Sequence, residues 1–198
     1  MDEHYYSEHP QSKSERHRIQ ASLRGSAFTF TTDAGVFSKT GIDFGTRLLI
    51  ETFREPAVSG PVLDMGCGYG PIGISVSRLM ADREVVMVDI NDRATALARE
   101  NVRINEVRAR VLQSYLFEKV EGSYAAILSN PPIRAGKKVV HQIFSESHDF
   151  LLRGGEFWTV IQKKQGAPSA LAALQSLFDQ VEIVARKKGY YIFCAKKV

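Results

Sequence analysis

The chain has 198 residues, 44% of them hydrophobic, with a formal net charge of +4 and two cysteines. That length suits one domain with a sizeable core. No apolar run reaches membrane-spanning length, and the opening Met1-Asp2-Glu3-His4-Tyr5-Tyr6 lacks a basic-then-apolar secretion signal. Cys67 and Cys194 sit in unlike contexts, a glycine loop and a late apolar run, which argues against a disulfide framework and for a cytoplasmic protein.

Residues 1–20 are polar, rich in Ser, His and charge, and are expected to form a flexible arm. Residues 21–198 are expected to form one domain, with a hairpin and helix over 21–58 ahead of a Rossmann-like core over 59–198. Ala27-Phe28-Thr29-Phe30-Thr31 alternates like a strand, and with Gly35-Val36-Phe37-Ser38 after a Thr-Asp turn it predicts a short hairpin. Asp43 predicts the cap of a helix from Phe44 to about Arg54.

From Pro61 a strand–helix rhythm takes over. Strands are predicted at Val62–Met65, Glu84–Ile90, Arg110–Leu112, Tyr124–Ser129 and Glu156–Gln162. Helices are predicted at Pro71–Met80, Asn91–Ile104, Lys137–Leu152 and Pro168–Phe178. Val181–Ala185 and Tyr190–Ala195 close the chain, joined by so short a loop, Arg186-Lys187-Lys188-Gly189, that they must form an antiparallel hairpin. The fold class expected is α/β: a seven-stranded, mostly parallel sheet with an antiparallel last strand and helices on both faces.

Chemistry concentrates at three strand ends. After the first core strand comes Asp64-Met65-Gly66-Cys67-Gly68-Tyr69-Gly70 and then Pro71, a glycine loop entering a helix, which brings backbone close to a nucleotide-type ligand. Gly68, Gly70 and Gly73 also satisfy the dinucleotide pattern, so a nicotinamide-dependent reductase stays open on this motif alone. An acid at Asp64 favours a cationic guest, an ammonium or sulfonium, over a pyrophosphate. Asp89 ends the next strand, where a carboxylate accepts hydrogen bonds from ribose hydroxyls, and Ile90 beside it offers an apolar face to a base. After the fourth strand comes Ser129-Asn130-Pro131-Pro132-Ile133. Its prolines carry no N–H and stiffen the residues before them, leaving a rigid cradle of acceptors, the Asn130 side-chain oxygen and the Pro131 carbonyl, suited to an amine with two hydrogens to donate.

These residues resemble the class I S-adenosylmethionine-dependent methyltransferases. The match is nearest to the methyltransferase small domain family, which includes bacterial ribosomal RNA guanine-N2 methyltransferases. The resemblance runs from about Phe28 to Val198 and includes Phe37-Ser38, Asp43-Phe44-Gly45, the Asp64–Gly70 loop, Asp89, Asn130-Pro131-Pro132-Ile133 and Arg134-Ala135-Gly136-Lys137. It implies that S-adenosyl-L-methionine is the cofactor, bound by Asp64, Gly66, Cys67, Gly68, Gly70, Asp89, Ile90, Ser114, Tyr115 and Asn130. It further implies that Asn130, Pro131, Pro132 and Ile133 form the catalytic stretch, orienting an exocyclic amine of an RNA base, with guanine N2 of small-subunit ribosomal RNA expected. Phe37 and Lys39, with Arg134, Lys137, Lys138, Lys163 and Lys164, are the expected RNA contacts. Many relatives read Ser-Asp-Leu-Phe where this chain has Ser114-Tyr115-Leu116-Phe117, so adenine recognition here falls to backbone groups or stacking. Acceptors such as a protein glutamine or adenine, and a non-catalytic RNA-binding module, stay open. A monomer is expected, acting on RNA or a ribosomal particle, with neither a metal ion nor a membrane involved.

Overall fold

A computed structural model describes residues 7–198. Residues 1–6, the first part of the expected arm, lie outside them. The first elements are β1 (His17–Leu23) and β2 (Ser26–Thr32), an antiparallel pair forming a small sheet of its own. This corrects the expected pairing. The partner of β2 precedes it, because Ile19, Ala21 and Leu23 alternate with polar residues inside a leader whose overall composition conceals the pattern. Arg24 and Gly25 turn the chain with φ of 49° and 76°, the left-handed values a two-residue hairpin requires. Residues 35–38 form a turn and not a strand. The expected arm shortens accordingly, since residues 17–20 belong to β1. The stretch before β1 is held through Asp92 N–H to the Glu8 carbonyl at 3.0 Å, Arg93 to the Ser12 carbonyl at 2.8 Å and Ser14 to Asp33 at 2.7 Å.

Asp43 caps α1 (Phe44–Thr52), its carboxylate accepting from Thr46 N–H. The core then alternates: β3 (Val62–Met65), α2 (Pro71–Leu79), β4 (Val85–Asp89), α3 (Asp92–Ile104), β5 (Arg110–Gln113), β6 (Tyr124–Ser129), α4 (Lys137–Phe150), β7 (Leu151–Gln162), α5 (Ala167–Leu177), β8 (Gln180–Lys187) and β9 (Tyr190–Lys196). The seven core strands form one sheet in the order β5-β4-β3-β6-β7-β9-β8, parallel except for β9, which runs antiparallel to both neighbours.

Both faces of this sheet are buried, so its strands read as apolar runs whose alternate residues enter different cores. Val62, Val85, Met87, Ala126, Leu128, Trp158 and Ile192 pack beneath α1, α2, α3 and the hairpin. Leu63, Val86, Val88, Ile127, Phe157 and Phe193 pack on the other face with Phe144 of α4 and Leu174 of α5. The strand β7 begins five residues earlier than the sequence predicts. Gly154-Gly155, left between the expected helix and strand, is a bulge in the strand. Gly154 has φ 80°, and a Cβ on Gly155 would stand 2.8 Å from the Leu152 carbonyl oxygen.

Two buried asparagines one turn apart, Asn101 on α3 and Asn105 at its C-cap, fasten the hairpin to the core. Asn101 accepts from Thr31 N–H at 2.7 Å and donates to the Thr31 carbonyl at 2.9 Å and the Tyr69 carbonyl at 2.8 Å. Asn105 repeats the pairing on Thr29, at 3.0 and 2.8 Å. Side-chain amides thus stand in for a neighbouring strand along the free edge of β2, satisfying donors and acceptors that burial would otherwise leave bare. The same contacts bring the chain after β2 to the carboxyl ends of the core strands.

Candidate active site

Strand order reverses at β3, with β4 on one side and β6 on the other, and open α/β sheets bind ligands at the carboxyl edge of such a switch point. A cleft of about 710 Å³ lies there, a volume typical of small-molecule sites. The glycine loop is folded tightly at its floor. Gly66 and Cys67 N–H both donate to the Val88 carbonyl at 2.8 Å, and Gly68 N–H donates to Asp89 Oδ2 at 2.8 Å. Gly66 and Gly68 have φ of 75° and 55°. Both line the cleft, and a Cβ built on either meets no protein atom within 4 Å, so the room beside the loop is open to a ligand.

Asp89 is raised in pKa by its burial. Besides Gly68, its Oδ1 accepts from Asn91 N–H at 2.9 Å. A carboxylate has about four acceptor positions, so two fixed bonds leave capacity for a diol. Ile90, Ser114, Tyr115 and Leu116 continue the wall from Asp89, and Tyr115 is 40% exposed, available for stacking. Ser114 is fixed beside this wall by its N–H to the Asp89 carbonyl at 3.0 Å. Cys67 also lines the cleft and is buried, and burial and the nearby carboxylates of Asp89 and Asp64 push its thiol well up, which disfavours the thiolate.

Asp64 does not stand in the cleft wall. It is buried beneath the loop, where its Oδ2 accepts from Gly73 N–H at 2.8 Å and fixes the start of α2. Desolvation raises its pKa to about 7, and its Oδ1 has no hydrogen-bond partner among the described residues. Gly70 lies behind the wall as well. It opens α2 at φ 104°, and a Cβ there would stand 2.7 Å from Met87 Cε. Both residues therefore shape the loop from behind.

The other wall belongs to Asn130, Pro131, Pro132 and Ile133. Ser129 ties the end of β6 to β3 through its hydroxyl to the Met65 carbonyl, at 2.8 Å. Asn130 Nδ2 donates to Thr46 Oγ1 at 2.8 Å. With its nitrogen committed, the amide has Oδ1 left for a ligand, and the Pro131 carbonyl accepts no backbone hydrogen bond from the described residues. Sequence reasoning missed Thr46. Its signal was the Asp43 cap, which places a hydroxyl on the first turn of α1 facing the β6 end. Tyr69, Gln165 and Tyr190 also line the cleft unannounced, and Asp43, expected as a helix cap, lines it too.

Of the expected RNA contacts, Phe37 and Arg134 line the cleft. Lys39, Lys137, Lys138, Lys163 and Lys164 do not. Lys39 pairs with Glu15 at 3.6 Å, Lys137 and Lys138 open α4, and Lys163 and Lys164 form a turn after β7. The cleft thus combines a glycine cradle, a ribose-type carboxylate, apolar walls and an acceptor pair, a set that fits a nucleoside beside a group with hydrogens to donate; the cationic preference expected from Asp64 loses its support, since that carboxylate lies behind the loop.

Comparison with known proteins agrees with this geometry. Residues 27–194 match the family model of the methyltransferase small domain. The uncharacterized protein YbxB of Bacillus subtilis is 55% identical over the whole of both chains. Ribosomal RNA small subunit methyltransferase C of Vibrio cholerae is 31% identical over 88% of this chain and 51% of its own length. The structure of T. thermophilus 16S rRNA N2 G1207 methyltransferase (RsmC) in complex with AdoMet and guanosine superposes with a TM-score of 0.84 at 25% identity, covering 94% of this chain and 52% of that one. The chain therefore spans about half the length of these ribosomal RNA methyltransferases.

Proposed function

Because the chain belongs to the methyltransferase small domain family, we propose that it is an S-adenosylmethionine-dependent N-methyltransferase acting on guanine N2 of small-subunit ribosomal RNA. The observation that carries the reading is the Asn130 amide, turned by Thr46 so that Oδ1, with the Pro131 carbonyl, forms an acceptor pair in the cleft. The relatives named as ribosomal RNA methyltransferases, one of them for N2 of G1207, favour RNA over other acceptors.

When bound, S-adenosylmethionine supplies a methyl group made electrophilic by its sulfonium. Gly66 and Gly68 make room for the methionine end, Asp89 accepts from the ribose hydroxyls, and Ile90, Tyr115 and Leu116 face the adenine. Asp64 and Gly70 act from behind, holding the loop and α2 in place. Asn130 Oδ1 and the Pro131 carbonyl each accept one hydrogen of the target amine. Holding both hydrogens turns the nitrogen lone pair out of the plane of the base, which is the main task in an in-line transfer governed by position and orientation. Asn130 removes no proton, since the nitrogen becomes acidic only once alkylated and then releases its proton to water. A paired base cannot reach this cleft, so the target is unpaired or flipped. Phe37 and Ile133 provide apolar faces for it, with Arg134 beside them for the adjoining phosphate.

The test has two arms. Calorimetry should give S-adenosylhomocysteine binding and no NAD(P)H binding. Radiolabelled cofactor should mark ribosomal RNA in preference to DNA or a protein pool, and digestion should yield N2-methylguanosine. A label on adenine or on a glutamine side chain would reassign the acceptor while leaving the reaction class standing.

A further inference from the structure

We propose that the tip of the β8–β9 hairpin and the turn after β7 form one cationic platform, built to dock the phosphate backbone of the RNA strand whose nucleotide enters the cleft. The inference rests on the RNA reading above. It concerns Lys163, Lys164, Arg186, Lys187 and Lys188, which the sequence scatters over two segments.

Topology brings them together. Because β9 runs antiparallel to β7, its first residue lies opposite the last residue of β7, with Tyr190 paired to Gln162. Lys163 N–H then donates to the Gly189 carbonyl at 2.7 Å, locking the two turns to each other. Lys188 and Gly189 have φ of 50° and 78°, so the hairpin tip is a tight turn and not a floppy loop. The tip stands at the same sheet edge as the cleft, since Tyr190, the residue after it, lines the cleft wall.

Aromatic rings hold two of the cations in place. The Arg186 guanidinium lies 5.1 Å from the Tyr191 ring centre and Lys188 Nζ lies 4.9 Å from that of Phe44. Phe44 in turn packs against Tyr190 at 5.4 Å. All five cationic residues are exposed, and none forms an ion pair with a described residue. No Asp or Glu occurs in residues 157–178 or 183–198. Exposed Arg54, by contrast, pairs with Glu182 at 3.1 Å. A rigid set of unneutralised charges with interleaved aromatic rings, continuous with a nucleotide-sized cleft, has the chemistry of a polynucleotide track.

The experiment uses the full chain and a fluorescein-labelled single-stranded RNA of about twenty nucleotides, read by anisotropy over a range of salt. One variant carries Arg186→Gln, Lys187→Gln and Lys188→Gln. A control carries Arg103→Gln, Arg108→Gln and Arg110→Gln, exposed residues at the opposite edge of the sheet. Each lost phosphate contact lowers the slope of log K against log salt by about 0.7, so the hairpin triple should lose about 2 from the slope and weaken binding at least about tenfold near 0.1 M salt. The control should stay within about twofold, and S-adenosylhomocysteine affinity should be unchanged in both, which certifies the folded cleft. Equal losses in the two triples, or RNA binding that survives the hairpin triple, overturn the platform and leave the RNA reading intact. Loss of poly-L-glutamate binding with RNA binding retained assigns the surface to an acidic protein and overturns it too. Wild-type protein that binds S-adenosylhomocysteine but no RNA overturns the RNA reading, and the platform with it.

Discussion

Thr46→Val separates orientation of the acceptor amide from everything else in the site. Valine keeps the shape of a side chain that is only 4% exposed, and the Asp43 cap on Thr46 N–H survives because it involves backbone. What is lost is the 2.8 Å bond that fixes Asn130 Nδ2. A neutral hydrogen bond contributes about 0.5–1.5 kcal/mol, and a stranded buried donor costs about 1–3 kcal/mol. Asn130 is half-buried, so water relieves part of the upper figure. If the amide must hold its native orientation in the transition state, that loss translates to about a 5- to 100-fold fall in kcat. S-adenosylhomocysteine affinity should hold within twofold, KM should change little, and Thr46→Ser should restore most of the rate by returning the hydroxyl. The assay is steady-state transfer of labelled methyl to RNA alongside calorimetry. A Val variant with wild-type kcat, or one whose cofactor affinity falls in step with its rate, refutes the positioning role.

Asn101→Ala strips partners from Thr31 N–H and from the Thr31 and Tyr69 carbonyls together, and should cost about 3–5 kcal/mol in urea unfolding; a loss under 1 kcal/mol means the hairpin is held by packing alone. Asp64 gives a pH signature. Its folded pKa, near 7, lies above the unfolded carboxylate value, so its contribution is fully present below about pH 4 and is lost as pH rises through 7. Asp64→Asn keeps an oxygen for Gly73 N–H and removes this titration, so the melting temperature of the variant relative to wild type should rise between pH 5 and pH 8; a difference constant with pH counts against a strained buried carboxylate. Gly68→Ala pays about 1–2 kcal/mol for φ 55° and pushes its methyl into the cleft. It should fold yet bind S-adenosylhomocysteine about tenfold or more weakly, a loss of about 1.4 kcal/mol. Unchanged affinity would move the ligand away from the loop.

The strand–helix alternation, the glycine loop, Asp89 and the Asn-Pro-Pro stretch were all legible in the chain, because each follows from local chemistry. Apolar runs of strand length, prolines at helix starts and residues that tolerate positive φ constrain the backbone within a few positions of themselves. That is also why β3, β6 and the start of α2 fall where the sequence places them. The failures share a different cause. The partner of β2 and the early start of β7 depend on one segment finding another across the sheet, and the place of β9 between β7 and β8, on which the sequence is silent, depends on the same thing. Local pattern is blind to such pairing.

The amino-acid sequence alone determined the repertoire: which strand ends carry glycine, carboxylate and amide, and hence the kind of ligand the carboxyl edge of the sheet accepts. Only the tertiary structure decided which atoms of that repertoire are free to act. Asp64 is spent on Gly73 while Asn130 is turned by Thr46, and lysines from two distant segments stand on one rim. The physical reason is that a polar atom becomes available or committed through the partner folding sets against it, and that partner stands nine residues away for Asp64 and eighty-four away for Asn130.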